Sequence, residues 1–320
     1  MTRLLILLTL PEPVRLKYLN RIRASFPALE VTLVDHASKL EPLIPEADIL
    51  VTFGPMLIDR AGAIFAAAKN LKWVQALGTG VDNIADIPTL RPDVIVTNLR
   101  GLHGSAVSEA AIAAMLALGR DIPRSVRAQE RHAWERWPTR LLDGKTAGIL
   151  GVGAIAEALA PRLKALGMKV VGISSGPRAL AGFDEIVPRA SLIDAVRAID
   201  HLVLLTPYSP ETHHLVDARV LAAMKPSAYL VNLARGGVVD EAALIEALEG
   251  GRLAGAALDV FANEPLPPDH PFWQMKSVLV TAHLGGFYDG YPDQAIPIVE
   301  ENIRRFLAGE VERMVNRIAR

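Results

Sequence analysis

The stretch Thr146-Ala-Gly-Ile-Leu150-Gly151-Val-Gly153-Ala154-Ile155-Ala156 decides the fold. An apolar run of strand length meets two glycines and then a helical pattern over residues 155–166. Gly151 permits a tight turn and Gly153 a close approach of backbone to ligand. Ala156 is small enough for helix to pack on strand. A helix that starts at such a turn offers free N–H groups and the positive end of its dipole to a phosphate. The stretch therefore predicts a strand–turn–helix unit that cradles the pyrophosphate of a dinucleotide, with Gly151, Gly153, Ala154 and Ile155 at the contact.

Outward from this unit the same alternation continues. Downstream, residues 169–173, 201–205, 228–232, 255–260 and 278–281 read as strands, with helices over 192–198, 217–224 and 241–249. Asp240 is a plausible N-cap, and Gly250-Gly251 closes that helix. Upstream, strands at 4–10, 30–34, 48–53, 71–76 and 94–97 alternate with helices at 14–26 and 58–68. Residues 105–118 are small and helical, and 293–308 return to a helical pattern. Strands alternating with helices build parallel sheets. The expected class is α/β: two doubly wound parallel-sheet domains, Rossmann-like and flavodoxin-like, with a cleft between them. Residues 1–99 plus 288–320 form the expected substrate-binding (catalytic) domain, and 100–287 the dinucleotide-binding domain.

Composition excludes several classes. The 320 residues are 51% hydrophobic and carry a formal net charge of −1, so no basic field draws the chain to nucleic acid. No cysteine is present, which removes disulfides, thiolate metal sites and a cysteine nucleophile. The apolar start, Met1 to Leu10, stops at Pro11-Glu-Pro13 without a cleavage pattern and reads as a buried strand. No stretch reaches the roughly 18 apolar residues of a membrane span. A soluble, cytoplasmic protein with no membrane partner is expected.

About 20 residues beyond the glycine turn, a carboxylate would mark a preference for NAD. The sequence has Ser174-Ser175-Gly-Pro-Arg178 there instead. Two hydroxyls and a guanidinium can hydrogen-bond a 2′-phosphate, and nothing repels its charge. NADP is the expected cofactor, with NAD possible.

Three later segments each follow a strand. They are Val231-Asn-Leu-Ala-Arg235-Gly-Gly, Asp259-Val-Phe-Ala-Asn-Glu264-Pro265 and Val280-Thr-Ala-His283-Leu-Gly285-Gly286. Ligand groups collect at strand C-termini in open α/β sheets, so an arginine, a carboxylate and a histidine can converge there. With the loop Leu77-Gly-Thr-Gly-Val-Asp-Asn83, residues 98–120 and the glycine turn, these segments resemble the D-isomer-specific 2-hydroxyacid dehydrogenase family over almost the whole chain. Within it the resemblance is nearest to glyoxylate/hydroxypyruvate reductases.

The resemblance implies NAD(P)H-dependent reduction of a small 2-oxo acid to a D-2-hydroxy acid. Arg235 would hold the substrate's carboxylate and carbonyl, His283 would exchange the proton, and Glu264 would orient His283. It further implies that Asp259 meets the nicotinamide carboxamide and that Pro207, Thr212, Leu233, Ala234 and Gly285 line the cofactor. Backbone N–H groups of Leu77, Gly78 and Thr79 would bind the substrate's carboxylate. Ala282 stands where the family often has proline, and the aromatic group Phe287, Tyr288 and Tyr291 follows. Trp134 and Trp137 lie where the family packs subunits, so a homodimer is expected. His213-His214 has no carboxylate cluster beside it, and no metal site is expected. Two alternatives stay open: phosphoglycerate or phosphite oxidation within the family, and a non-catalytic NAD-sensing interaction module of the corepressor type.

Overall fold

The computed structural model describes residues 1–176 and 179–319, and Arg178 lies outside them. The chain divides into two compact units, residues 1–102 with 289–320 and residues 103–288.

The first unit is built on five parallel strands, β1 (Arg3–Leu7), β2 (Glu30–Val34), β3 (Ile49–Thr52), β4 (Trp73–Ala76) and β5 (Ile95–Thr97), in the order β2-β1-β3-β4-β5. All four residues of β3 are buried, as are all four of β4. Strands covered on both faces must be apolar throughout, which is why they read as unbroken runs. The expected strand at residues 4–10 ends at Leu7, because Pro11 begins the helix Glu12–Ser25. A buried polar chain ties the last helix, Tyr291–Leu307, to this sheet. Asn302 donates to Gln75 Oε1 (2.9 Å), Thr97 donates to the same oxygen (2.8 Å), and Trp73 Nε1 donates to Thr97 (2.8 Å). The polar side chains of this network thus satisfy one another.

The second unit holds seven parallel strands: β6 (Thr146–Leu150), β7 (Lys169–Ser174), β8 (Glu185–Pro188), β9 (His201–Leu204), β10 (Tyr229–Asn232), β11 (Gly255–Leu258) and β12 (Val278–Val280). Their order is β12-β11-β10-β9-β6-β7-β8. The order reverses at β6, between β9 and β7, so the glycine turn after β6 stands at the switch point where open sheets bind ligands. The helices Gly104–Gly119 and Ala154–Ala165 pack closely, and a Cβ on Gly104 would lie 3.3 Å from that of Ala158.

One strand and two α-helices among the described residues go beyond the sequence reading. β8 is a half-exposed edge strand of four residues ending in proline, too short to show an apolar run. The helices Ala37–Leu40 and Ile122–Glu130 are, respectively, too short and too charged to stand out. Asp240 accepts from Ala243 N (3.1 Å), and Gly251 takes φ +64°, so that helix ends as expected. Among the described residues no helix is long and apolar enough to cross a membrane.

His201, at the head of β9, is 3% exposed, its ring 5.2 Å from that of Tyr229. Burial holds its pKa down at about 4, against 6.5 for a free histidine. The folded state therefore refuses a proton that the unfolded chain accepts. Stability from this group is complete above pH ~6.5 and is lost as pH falls toward 4, on the order of 3 kcal/mol for such a shift. The melting temperature is expected to fall between pH 7 and 4.5, and less steeply in His201→Phe. Parallel curves for the two proteins would contradict this.

Candidate active site

Gly151 has φ +101°, and a Cβ there would lie 2.5 Å from Thr206 N, inside the start of the neighbouring loop. Only glycine fits both the conformation and the contact. At Gly153 an added Cβ would meet nothing within 4 Å, so the backbone there is open to a ligand. Gly153 caps the helix Ala154–Ala165 without any side-chain hydrogen bond, which leaves the first N–H groups and dipole end available. Ala156 is buried against the strand. This cradle fits a pyrophosphate.

The structure places Ser174 at the carboxyl end of β7, where it is buried and its hydroxyl accepts from Gly176 N (3.4 Å). Ser175 beside it is exposed, and no carboxylate occupies either position. After β9 comes the loop with Pro207 and Thr212. The Thr212 hydroxyl donates to Pro207 O (2.8 Å) and accepts from Ser209 N (2.7 Å). Its hydroxyl thereby shapes the loop that the resemblance assigns to the cofactor.

Arg235 follows β10. Asn232, 1% exposed, binds both sides of the bend, accepting from Ala234 N and donating to Arg235 O (both 3.1 Å). Gly236 lets this bend cross the next one, since a Cβ there would lie 1.8 Å from the Phe261 carbonyl carbon. One guanidinium nitrogen, Nη1, donates to Ala234 O (2.6 Å). Leu233 is half-buried and Ala234 buried beside it.

His283 follows β12 in the left-handed region, at φ +54°. For a residue with a Cβ that conformation costs roughly 1–2 kcal/mol and needs external support. Asp259, after β11, supplies it. Its backbone oxygen accepts from His283 N (2.8 Å). Its carboxylate accepts from Thr281 Oγ1 (2.5 Å), Leu284 N (2.8 Å) and Gly285 N (2.8 Å). Asp259 is 4% exposed, so these bonds are dry. Asp259, which the resemblance places at the nicotinamide carboxamide, thus also builds the loop that carries His283. Gly285 sits within that loop, and a Cβ on it would reach 3.0 Å from Asp259 Oδ2.

His283 Nδ1 lies 2.8 Å from Glu264 Oε2, and the other oxygen of Glu264 accepts from Phe261 N (3.0 Å). Burial pushes the Glu264 carboxyl up. The His283 hydrogen bond and charge, the Phe261 N–H and the Arg235 charge outweigh it and hold the group below the ordinary carboxylate range. Arg235, Glu264 and His283 thus form one electrostatic cluster on three strand ends of the second unit.

In the first unit, Leu77 is fully buried and its N–H donates to Thr52 O (2.8 Å) within the sheet. This removes it from the donors proposed for a carboxylate. Gly78 O accepts from Leu99 N (3.0 Å) and Thr79 O from Asn98 Nδ2 (2.6 Å), which fixes the backbone of this loop. The aromatic residues Phe287, Tyr288 and Tyr291 divide between the two units. Tyr291 is buried and donates its hydroxyl to Leu77 O, whereas Phe287 is exposed and belongs to the other unit. Trp134 is 95% exposed, but Trp137 is half-buried under the Arg124 guanidinium, 4.1 Å from the ring centre. The rings of His213 and His214 stack at 3.9 Å.

Comparison with known proteins agrees with this geometry. Residues 112–285 match the family model of the D-isomer specific 2-hydroxyacid dehydrogenase NAD binding domain. The D-3-phosphoglycerate dehydrogenase of Mycobacterium tuberculosis is 38% identical over 291 residues, covering 88% of this chain and 54% of that protein. The chain thus spans about half the length of that relative. The glyoxylate reductase of Thermococcus gammatolerans is 34% identical, covering 84% of this chain and 82% of the other. A D-isomer specific 2-hydroxyacid dehydrogenase from Xanthobacter autotrophicus Py2, solved in complex with NADPH and MES, superposes with a TM-score of 0.81 at 33% identity, covering 100% of this chain and 98% of that one. The chain belongs to the D-isomer specific 2-hydroxyacid dehydrogenase family.

Proposed function

We propose that this protein catalyses the NADPH-dependent reduction of a small 2-oxo acid, of the glyoxylate or hydroxypyruvate type, to a D-2-hydroxy acid. One observation carries the reading: His283 Nδ1 is paired with Glu264 at 2.8 Å, and the Arg235 charge acts on the same carboxylate. A bound nicotinamide supplies the hydride. The chain supplies the rest. With Nδ1 held by Glu264, Nε2 of His283 is left to give a proton to the developing alkoxide. Nη1 of Arg235 is tied to Ala234 O, which fixes the plane of the guanidinium. A planar guanidinium suits a carboxylate and the neighbouring carbonyl oxygen. Glu264 orients the imidazole through that hydrogen bond. Gly78 and Thr79 keep the role the resemblance gives them, backbone donation to the substrate's carboxylate.

The cofactor assignment rests on Ser174 and Ser175, on the absence of an acid at those two positions, and on the NADPH named for the Xanthobacter relative. Exposed Trp134, together with exposed Ile122 and Val126, supports a self-association surface and hence a homodimer. The absence of cysteine fits the reducing cytoplasm as the place of action.

Initial rates of NADPH and NADH oxidation with glyoxylate, hydroxypyruvate, pyruvate, phenylpyruvate and 2-ketogluconate test the proposal. Turnover is expected, with kcat/KM for NADPH about tenfold or more above that for NADH, from charge-assisted bonds to the 2′-phosphate. A clear NADH preference would overturn the cofactor assignment alone. Silence with every 2-oxo acid, with 3-phosphoglycerate oxidation in its place, would give the chain the activity named for its mycobacterial relative.

A further inference from the structure

Tyr291 has no part in the mechanism above, yet its hydroxyl is bound to the loop that carries Gly78 and Thr79. It opens the helix Tyr291–Leu307 and is 3% exposed, its ring 6.2 Å from that of Phe53. Filling that space asks only for an aromatic ring, which phenylalanine would also supply. The hydroxyl goes further and donates to Leu77 O, where β4 passes into the loop. The same helix is tied to β4 a second time, because Asn302 donates to Gln75 Oε1 (2.9 Å). The tyrosine therefore reaches the loop from a fixed base.

Leu77 O and the Gly78 N–H belong to one peptide group, planar and trans, so they point in opposite directions. A hydroxyl that fixes the oxygen fixes the hydrogen with it. The next two carbonyls are held as well, Gly78 O by Leu99 N (3.0 Å) and Thr79 O by Asn98 Nδ2 (2.6 Å). Leu77 N donates to Thr52 O (2.8 Å), whereas among the described residues the Gly78 N–H has no hydrogen-bond partner. Gly78 is half-buried and so remains open to a ligand. Donation to the oxygen of a peptide also polarises it, which strengthens donation by its N–H.

We propose that Tyr291 is a positioning residue: its hydroxyl, by holding Leu77 O, sets the Leu77–Gly78 peptide so that the Gly78 N–H is presented to the carboxylate of the 2-oxo acid. The inference rests on the role given to Gly78 under the proposed function.

The test compares wild type with Tyr291→Phe, which keeps the packed ring and loses the hydroxyl. KM for glyoxylate and Ki for oxamate are expected to rise together, about 3- to 10-fold, the scale of one neutral hydrogen bond. Both kcat and the Kd for NADPH should stay within about twofold of wild type. Loss of a buried hydrogen bond lowers the melting temperature in either role, so the split between KM and kcat is the discriminating readout. A KM or a Ki within about 1.5-fold of wild type would overturn the inference and leave the hydroxyl a structural bond. So would an equal fall in kcat or a parallel loss of NADPH binding, because a loop deformed as a whole spreads its damage. Should Tyr291→Phe not fold, 3-fluorotyrosine placed at 291 keeps the hydroxyl and decides. Its ¹⁹F signal should move when oxamate is added to the NADP⁺ complex, and an unmoved signal would overturn the inference. Wild-type turnover is measured first. If the wild type is silent with every 2-oxo acid, the proposed function fails and takes this inference with it. An active wild type with an unimpaired Tyr291→Phe removes this inference alone.

Discussion

Replacing His283 by glutamine is expected to lower kcat for 2-oxo acid reduction about 10²- to 10⁴-fold, the range a general acid contributes. Kd for NADPH should remain close to the wild-type value. The variant keeps a polar side chain of similar reach but has no proton to give at neutral pH. The loop itself should survive, because its conformation is set by Asp259, which binds the backbone N–H groups of His283, Leu284 and Gly285 and the Thr281 hydroxyl. Glutamine can also adopt the φ of +54° found at this position, at the usual cost. The two effects are separable: a lost proton donor lowers kcat, whereas a collapsed loop would weaken cofactor binding as well. Steady-state rates with saturating NADPH, read beside a fluorescence titration of the cofactor, distinguish them. A kcat within tenfold of wild type would remove His283 from the role of acid.

The second large effect is expected at Arg235. Arg235→Ala should reduce kcat/KM for the 2-oxo acid by about a thousandfold. Truncating one partner of a desolvated charge pair costs roughly 2–5 kcal/mol, and each 1.4 kcal/mol is tenfold. Arg235→Lys should recover little of this. The ammonium is a single point of charge and cannot present the parallel N–H pair that a carboxylate accepts. The backbone at this position is shaped by Asn232 and by the crossing at Gly236, neither of which depends on the guanidinium, so the variants should fold. Removing the guanidinium also removes one of the groups holding Glu264 low. A lysine variant with more than a tenth of the wild-type kcat/KM would show that charge alone, and not bidentate geometry, serves the substrate.

Much of this architecture is legible in the amino-acid order, for physical reasons. The central strands of parallel sheets are covered on both faces, so β1, β3, β4, β9 and β10 stand out as apolar runs. The glycine turn is visible because Gly151 answers a steric demand that no other residue meets. Arg235, Glu264 and His283 are visible as polar residues at strand ends. β8 escapes notice because an edge strand lacks cover on one side and needs no apolar run.

The work of Asp259 and Thr212 is hidden for a different reason. A carboxylate or hydroxyl can face a ligand or its own loop, and only the fold decides. Asp259 binds a loop about two dozen residues away, a pairing with no local trace. Phe287, Tyr288 and Tyr291 look like one aromatic group in sequence, but the chain passes from one unit to the other between Tyr288 and Asp289. His103 and Gly286 are remote in sequence, and only the fold brings them side by side.

Under the proposed function, a hydride passes from the nicotinamide to the carbonyl carbon of a 2-oxo acid. Incubation with glyoxylate and NADPH carrying deuterium at the transferable C4 position, followed by mass spectrometry of the product, tests it most directly. Glycolate carrying one deuterium at C2 is expected, formed by wild type and lost in His283→Gln and Arg235→Ala. Unlabelled glycolate, or no glycolate with any 2-oxo acid offered, would contradict it.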